Sequence, residues 1–318
     1  MRWHKQGNIF NPQDHRDWAG THAQVPTVLV KDRVLRIYYA DRDRAGRSFP
    51  TYIDVDRADP SRVVYHHRQP LLPFGHPGTF DDEGIMPAYA IEHRGRVLLY
   101  YSGWNRRTTV PYHNATGVAV SDDGGDTFAR MFDGPILDRV PLEPYLAVTP
   151  SVLKDGDRWQ MWYVSGVDWK RVGDKFEPVY VIKYAESRDG LRWDRPNILS
   201  VPPRHDGEAF SHPCVLRDGE LYRMWYCFRG SEDYRDGHGS YRMGYATSRD
   251  GRVFERRDDE VGITVSDSGW DAKMICYPFV VRVDGRTLMF YNGNSFGQTG
   301  VGWAVLQEND DERERTTR

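Results

Sequence analysis

Apolar and polar residues alternate in short runs along this chain, and the runs recur. Pro213–Tyr226, PCVLRDGELYRMWY, shows the unit: an apolar run, a polar Asp-Gly pair, then an alternating run ending on two aromatics. Alternation of this kind predicts a strand on each side of a tight turn. The same unit stands at Pro26–Tyr39, Pro87–Tyr101, Pro150–Tyr163 and Pro278–Tyr291, with steps of 61, 63, 63 and 65 residues between leading prolines. Five units at that step fill the chain, and a fixed period of this size predicts a repeat architecture.

Each repeat predicts four strands. A second recurrent turn joins the third to the fourth: SDDGGDTF from Ser121, SRDGLRW from Ser187 and SRDGRVF from Ser248. Asp123, Asp189 and Asp250 there read as ligands or, more simply, as side chains folding back on their own turns. The fifth repeat has only three strand candidates, while Arg2–Phe10, RWHKQGNIF, matches Arg192–Leu199, RWDRPNIL, the fourth strand of repeat three. The N-terminal segment is therefore expected to complete the last repeat and close a ring, which covers otherwise exposed edges. The expected fold is all-β, a five-bladed β-propeller forming one domain over residues 1–307, with a charged, disordered tail at 308–318. Antiparallel alternation puts both tight turns on one face. The longer connections Asp41–Pro50, Trp104–Asn114, Val167–Pro178, Arg229–Ser240 and Asn292–Gln298 lie on the other, where binding is expected.

Composition changes this picture little. Apolar residues at 39% and charged residues at 28% suit a soluble globular protein, and 10 Trp, 19 Tyr and 13 Phe suit strands. A net charge of −3 gives no reason to expect nucleic acid or an anionic membrane as partner. Three scattered cysteines make neither a disulfide framework nor a CxxC metal site. With no secretory h-region and no long apolar run, the cytoplasm is the expected location.

Candidate chemistry lies just before the leading prolines, in WAGTHAQVP, FDDEGIMP, EPYLAVTP, HDGEAFSHP and WDAKMICYP. Phe80-Asp81, His205-Asp206 and Trp270-Asp271 align with each other and with Trp18-Ala19. That alignment predicts a circle of Thr21, Glu83, Tyr145, Glu208 and Lys273 around the pore, with His22 beside it. Glu83 and Glu208, on non-adjacent repeats, could face each other as the acid and base of glycoside hydrolysis. The bland reading pairs Glu208 with Lys273, and Glu83 with Arg106 or Arg107. Asp271 belongs to a repeating set suited to pinning crossovers and is the reserve candidate for a catalytic role. His22 and His212 read equally well as structural residues. No metal motif and no phosphate loop appears, and no organic cofactor is expected. The acids leave room for a calcium ion in the pore, which nothing in their spacing specifies.

The repeated PxVLxDGxLxMWYxG pattern, its crossovers and its SxDGxxW turns resemble the five-bladed β-propeller glycosidases, the superfamily of glycoside hydrolase families 43, 32, 68, 117 and 130. The resemblance covers roughly Trp3 to Leu306. It implies a glycosidase-like enzyme acting on a sugar or small glycoside in a central funnel. Families 43, 32 and 68 place acids on the innermost strands near the positions of the leading prolines. Here the preceding pairs are Gln24-Val25, Ile85-Met86, Val148-Thr149, Ser211-His212 and Cys276-Tyr277, so that triad is not carried over. Family 117 uses a histidine as the acid, which keeps His212 and His22 as proton-donor candidates. Family 130 includes phosphorylases, for which Arg229 and Lys273 are the phosphate candidates. Asp82, Glu143, Asp271, His22, His212 and Arg229 would shape the sugar subsites, and Trp104 and Trp169 would stack on sugar faces. The competing readings are a non-catalytic carbohydrate-binding propeller, and a lyase or transferase on a sugar-like metabolite.

Overall fold

A computed structural model describes residues 1–15, 19–235 and 237–307. Trp18 and the tail at 308–318 lie outside them. Strands make up 56% of the described residues and helices 4%, which places the protein in the all-β class.

The first strand, β1 (Arg2–Phe10), pairs not with its sequence neighbour but with the last. Repeat one then supplies β2 (Gln24–Val30), β3 (Val34–Arg42), β4 (Ser48–Asp56) and β5 (Val63–His66), and repeat two β6 (Gly84–His93), β7 (Arg96–Arg106), β8 (Tyr112–Ser121) and β9 (Ala129–Arg130). Repeat three contributes β10 (Ala147–Asp155), β11 (Arg158–Val172), β12 (Lys175–Ser187) and β13 (Asp194–Val201). Repeat four contributes β14 (Ala209–Asp218), β15 (Leu221–Arg229), β16 (Arg242–Ser248) and β17 (Glu255–Arg256). The fifth has β18 (Cys276–Val283), β19 (Arg286–Asn292) and β20 (Val301–Gln307), and β1 pairs antiparallel with β20 from Arg2↔Gln307 to Phe10↔Val301. Repeats three, four and five plus β1 each form a four-stranded antiparallel sheet. The first two repeats make one sheet, joined through the parallel pair Ser48↔Gly84.

Hydrophobic cores lie between consecutive repeats. Tyr38 and Tyr52 pack with Leu99, Tyr100 with Met161, Trp162 with Met224, and Trp225 with Met289. Phe279 and Phe290 of the last repeat pack with Val28 and Ile37 of the first, so the series of cores returns to its start. In the first three repeats the first aromatic of the closing pair also reaches across: Tyr38 Oη donates to the Gly125 carbonyl, Tyr100 Oη to Gly190 and Trp162 Nε1 to Gly251, at 2.8 Å each. Those carbonyls belong to the Ser-Asp-Gly turns of the following repeat. The turns are self-contained, as the simpler reading expects: Asp123 accepts from Ser121, Asp126 and Thr127, and Asp189 and Asp250 accept from Ser187 and Ser248 in the same way. Burial raises the Asp123 carboxyl, but these hydrogen bonds outweigh it and hold the group below its usual range.

The second aromatic of the pair shows a regularity in repeats two, three and five, while the Tyr39 hydroxyl of repeat one has no hydrogen bond among the described residues. Tyr101 donates to Asp81, Tyr163 to Glu143 and Tyr291 to Asp271, each acid lying 20 residues upstream. A cation from the outermost strand then meets each acid: Arg130 on β9 at 2.8 Å, Arg195 on β13 at 3.1 Å and Lys5 on β1 at 2.7 Å. In repeat four the residue 20 upstream, Asp206, is exposed. Asp258 takes the Tyr226 hydroxyl at 2.6 Å instead, and Arg256 on β17 binds both Asp258 and Glu208. The Tyr101 and Tyr226 rings pack close against the third strand, where Gly117 and Gly244 make room; a Cβ would stand 2.3 Å from the Tyr101 or Tyr226 ring.

Three connections are tighter than expected: strand pairing runs to Arg42↔Ser48 within Asp41–Pro50 and to Arg106↔Tyr112 within Trp104–Asn114. Val167–Pro178 is not a long loop but a hairpin: β11 and β12 stay paired to Val172↔Lys175, past a register shift between Gly166 and Asp168. The bulge lets the ladder continue where a break was expected.

Lys5→Met should leave Asp271 and Tyr291 buried without their cation. Losing one partner of a buried pair costs about 3 kcal/mol or more, read as a lower urea midpoint at unchanged slope. Lys170→Met, which opens the exposed pair with Glu232, should shift the midpoint far less. Equal shifts would mean that β1 is not clamped.

Candidate functional site

Every repeat enters its innermost strand through a bulge next to the leading proline. In four repeats the residue before the proline is left-handed: Val25 (φ 53°), Thr149 (φ 45°), His212 (φ 50°) and Tyr277 (φ 55°). That backbone is costly for β-branched Val25 and Thr149, and such strain clusters at functional sites. The bulges turn Val25, Met86, Thr149, Ser211 and Tyr277, one residue from each repeat, onto a single cavity of about 300 Å³.

The walls of the cavity come from the long-connection ends of the strands. Arg42 ends β3, Trp104 stands near the end of β7, Arg229 ends β15, and Tyr234, Arg235 and Tyr241 follow in the next connection. Tyr112, Asn114, Tyr180, Gln24, His22 and Phe296 complete much of the lining. Trp104 Nε1 donates to Ser48 Oγ at 2.7 Å, and the Tyr112 and Tyr180 hydroxyls share a hydrogen bond of 2.5 Å. Arg229 is buried, its guanidinium 3.7 Å from the Tyr234 ring centroid, and donates to the carbonyls of Gly230 and Pro178 and to Tyr241 Oη. Arg235 is held by Glu177 through two bonds of 2.9 Å. Burial raises the Glu177 carboxyl, but the bonds from Arg235 and Tyr234 outweigh it and leave it below the usual range.

His22 is half-buried, with Nδ1 2.7 Å from Thr21 Oγ1. Burial and then the Arg42 charge push its pKa down to about 4, so the ring is neutral at pH 7. His212 lies edge-on to Tyr277, fully enclosed, with neither ring nitrogen hydrogen-bonded among the described residues. Burial alone lowers its pKa to about 3.

Of the residues singled out in the sequence, His22, Trp104 and Arg229 line this cavity. Tyr145 is half-buried beside Leu146, and Trp169 stands behind the wall, edge-on to Tyr112 at 5.2 Å. Lys273 is exposed, and its backbone, not its ammonium, is engaged: N–H to Asn294 Oδ1 and carbonyl to Arg242. Asp82 accepts the Gly78 N–H. Glu83 pairs with Arg106 at 3.4 Å, the simple pairing anticipated for it. Glu208 is 3% exposed and does not meet Lys273; Arg256 grips both its oxygens at 2.7 Å and the Arg204 N–H adds a third bond. Burial raises its carboxyl, but these bonds outweigh it and keep the group below the usual range. Glu143 and Asp271 are the clamp acids of repeats three and five. The structure thus distributes Glu83, Glu208 and Asp271 among three separate local pairs, and among the described residues no Asp or Glu lines the cavity. Nor do three potential metal ligands converge among those residues.

Sequence reasoning missed Arg42, Arg235, Tyr112, Tyr180, Tyr241 and Tyr277. Tyr277 had a signal, since it directly precedes a leading proline. Arg42, Tyr112, Arg235 and Tyr241 sit in or at the ends of connections that differ between repeats, and Tyr180 lies within β12, so no internal comparison marks them.

No family model matches the sequence. Two proteins of Mycobacterium tuberculosis do: "Uncharacterized protein MT1551" of strain CDC 1551 / Oshkosh and "Uncharacterized protein Rv1502" of strain ATCC 25618 / H37Rv. Each is 36% identical over 309 residues, covering 96% of this chain and all of the relative. This protein belongs to their family. Among solved structures, a glycoside hydrolase superposes at a TM-score of 0.72 and 18% identity, covering 96% of this chain and 92% of the other. A thermostable family-43 glycoside hydrolase does so at 0.66 and 16%, covering 92% of each. An exo-1,5-alpha-L-arabinanase from a bovine ruminal metagenomic library follows at 0.61 and 13%, covering 93% and 96%. The family therefore has the fold of the propeller glycoside hydrolases, as its repeats suggest.

His212 generates a test. Its folded pKa lies below the unfolded 6.5, so the unfolded state takes up the proton first. The contribution is steady above about pH 6.5 and is lost as pH falls towards the folded value, at up to roughly 1.4 kcal/mol per pH unit. His22, His66 and His67 are lowered too and act in the same direction. Asn tolerates the left-handed backbone, so His212→Asn should fold and flatten the fall in urea stability between pH 6.5 and about 5. A slope unchanged from wild type would show that His212 titrates normally.

Proposed function

We propose that the protein is a five-bladed β-propeller, one domain over residues 1–307, that binds a sugar or small glycoside in its axial cavity. The carrying observation is the cavity floor, to which each of the five repeats contributes one residue from beside its leading proline. The cyclic series of cores and the β1–β20 pairing support the blade count and the closure. Tyrosine and tryptophan faces with a few fixed polar groups suit a sugar ring, which offers C–H patches between hydroxyls.

Hydrolysis by paired carboxylates fits this cavity poorly. One carboxyl must be neutral and one ionised beside the glycosidic oxygen, whereas Glu208 and Asp271 are spent on Arg256 and Lys5. His22 favours a limited enzymatic reading: a neutral imidazole in the lining accepts a proton and so could activate water or take an acidic C–H proton. With its pKa near 4 it is a weak source of the proton a leaving sugar oxygen needs.

The deciding experiment is a panel of nitrophenyl glycosides and oligosaccharides, scored for product and for binding by calorimetry. A sugar should bind without turnover assigned to Glu83 or Glu208. Glu208→Gln should lower stability by roughly 3 kcal/mol, as expected when a buried pair loses one charge, and leave affinity per folded molecule within about twofold. Loss of turnover by about a hundredfold in a folded Glu208→Gln protein would instead establish carboxylate catalysis.

A further inference from the structure

The cavity is lined by three arginines, Arg42, Arg229 and Arg235, and among the described residues by no acid. One carboxylate, Glu177, stands behind the wall and is committed to Arg235. Arg229 meets carbonyl oxygens, the Tyr241 hydroxyl and aromatic faces. Arg42 is the least satisfied: Nε donates to Gln24 Oε1 at 2.7 Å, and among the described residues neither Nη atom has a hydrogen bond. Asp41 precedes it in sequence but turns its carboxylate onto the N–H groups of Gly20, His22 and Arg42.

Arg42 is half-buried, and a guanidinium partly withdrawn from water without an anion is costly, whereas a structural arginine would have its carboxylate in place. Burial acts against the Arg42 charge and the Arg235 charge repels it, and both residues line the same cavity. Arginine's flat fork of donors matches a carboxylate or phosphate in bidentate fashion.

We propose that the cavity selects an acidic sugar, whose carboxylate or phosphate seats on the free Nη donors of Arg42 with Arg235 alongside, while the sugar ring lies against the tyrosines and Trp104. This rests on the sugar-binding reading of the cavity and adds the charge of its ligand. Arg42 then forgoes stability in the empty protein in exchange for selectivity, a trade-off common at binding sites.

The test uses the full-length protein and ligands of matched ring: galacturonate and glucuronate against galactose and glucose, and glucose 1-phosphate against glucose, each by calorimetry. At least one acidic sugar should bind about tenfold or more tighter than its neutral counterpart, as expected for a charge-assisted hydrogen-bonding pair. Preference for the uronates assigns the group as a carboxylate, and preference for glucose 1-phosphate as a phosphate. Arg42→Gln should lose that margin, lowering acidic-sugar affinity about tenfold more than neutral-sugar affinity, and raise the melting temperature of the empty protein. Arg42→Lys, which keeps the charge but not the fork, should retain part of the margin.

Neutral sugars binding as tightly as acidic ones would overturn this proposal and leave the sugar cavity standing. Binding of inorganic phosphate with no sugar of either kind would overturn both. Arg42→Gln protein that melts lower and keeps full uronate selectivity would show that Arg42 is structural, and the proposal would fall.

Discussion

A buried carboxylate that holds a tyrosine hydroxyl on one side and a cation on the other is the constraint on which this structure depends. Asp81, Glu143 and Asp271 each tie the second strand of a repeat to its outermost strand through Tyr101, Tyr163 and Tyr291 and through Arg130, Arg195 and Lys5. Such an ion pair adds little net stability over an apolar substitute, but it is intolerant of a missing partner. It therefore specifies which strand stands at the edge. In the last repeat the cation comes from β1 at the other end of the sequence, so the clamp and the strand pairing act together to join the two ends.

The clamps also account for the character of the cavity. Most of the acids that precede the innermost strands are bound to hydroxyls and cations away from the cavity. What reaches the cavity is a set of arginines, tyrosines, one tryptophan and one neutral histidine. Repeat four makes the point by exception: Asp206 is exposed, and Asp258 with Glu208 shares the single Arg256. Glu208 is thereby drawn into the structural set.

Strain and charge both concentrate at the cavity. The left-handed backbone at Val25, Thr149 and Tyr277 presents these side chains to it, and the rigid cores between repeats maintain a conformation that short peptides would avoid. The same frame brings Arg42 and Arg235 to one cavity despite their repulsion. A regular scaffold with strong periodic contacts is what permits such unfavourable local features at one place.

The sequence by itself determined the repeat, the strands, both classes of turn, the pairing of the N-terminal strand with the last repeat and the side on which the cavity residues gather. These follow from alternation and turn chemistry, which act over a few residues and are written again in every unit. Even the 20-residue spacing between acid and tyrosine was present in the repeats, though not its meaning. Only the tertiary structure decided which cation meets which acid, because Arg130, Arg256 and Lys5 come from outer strands 49, 48 and 266 residues away from Asp81, Glu208 and Asp271. It also decided that Glu83 and Glu208 are paired away from the cavity while Arg42 and Arg235 enter it. Those two arginines lie in connections that differ from repeat to repeat, and the pairing of buried charges is settled by distance in space, which the spacing of residues along a sequence does not record.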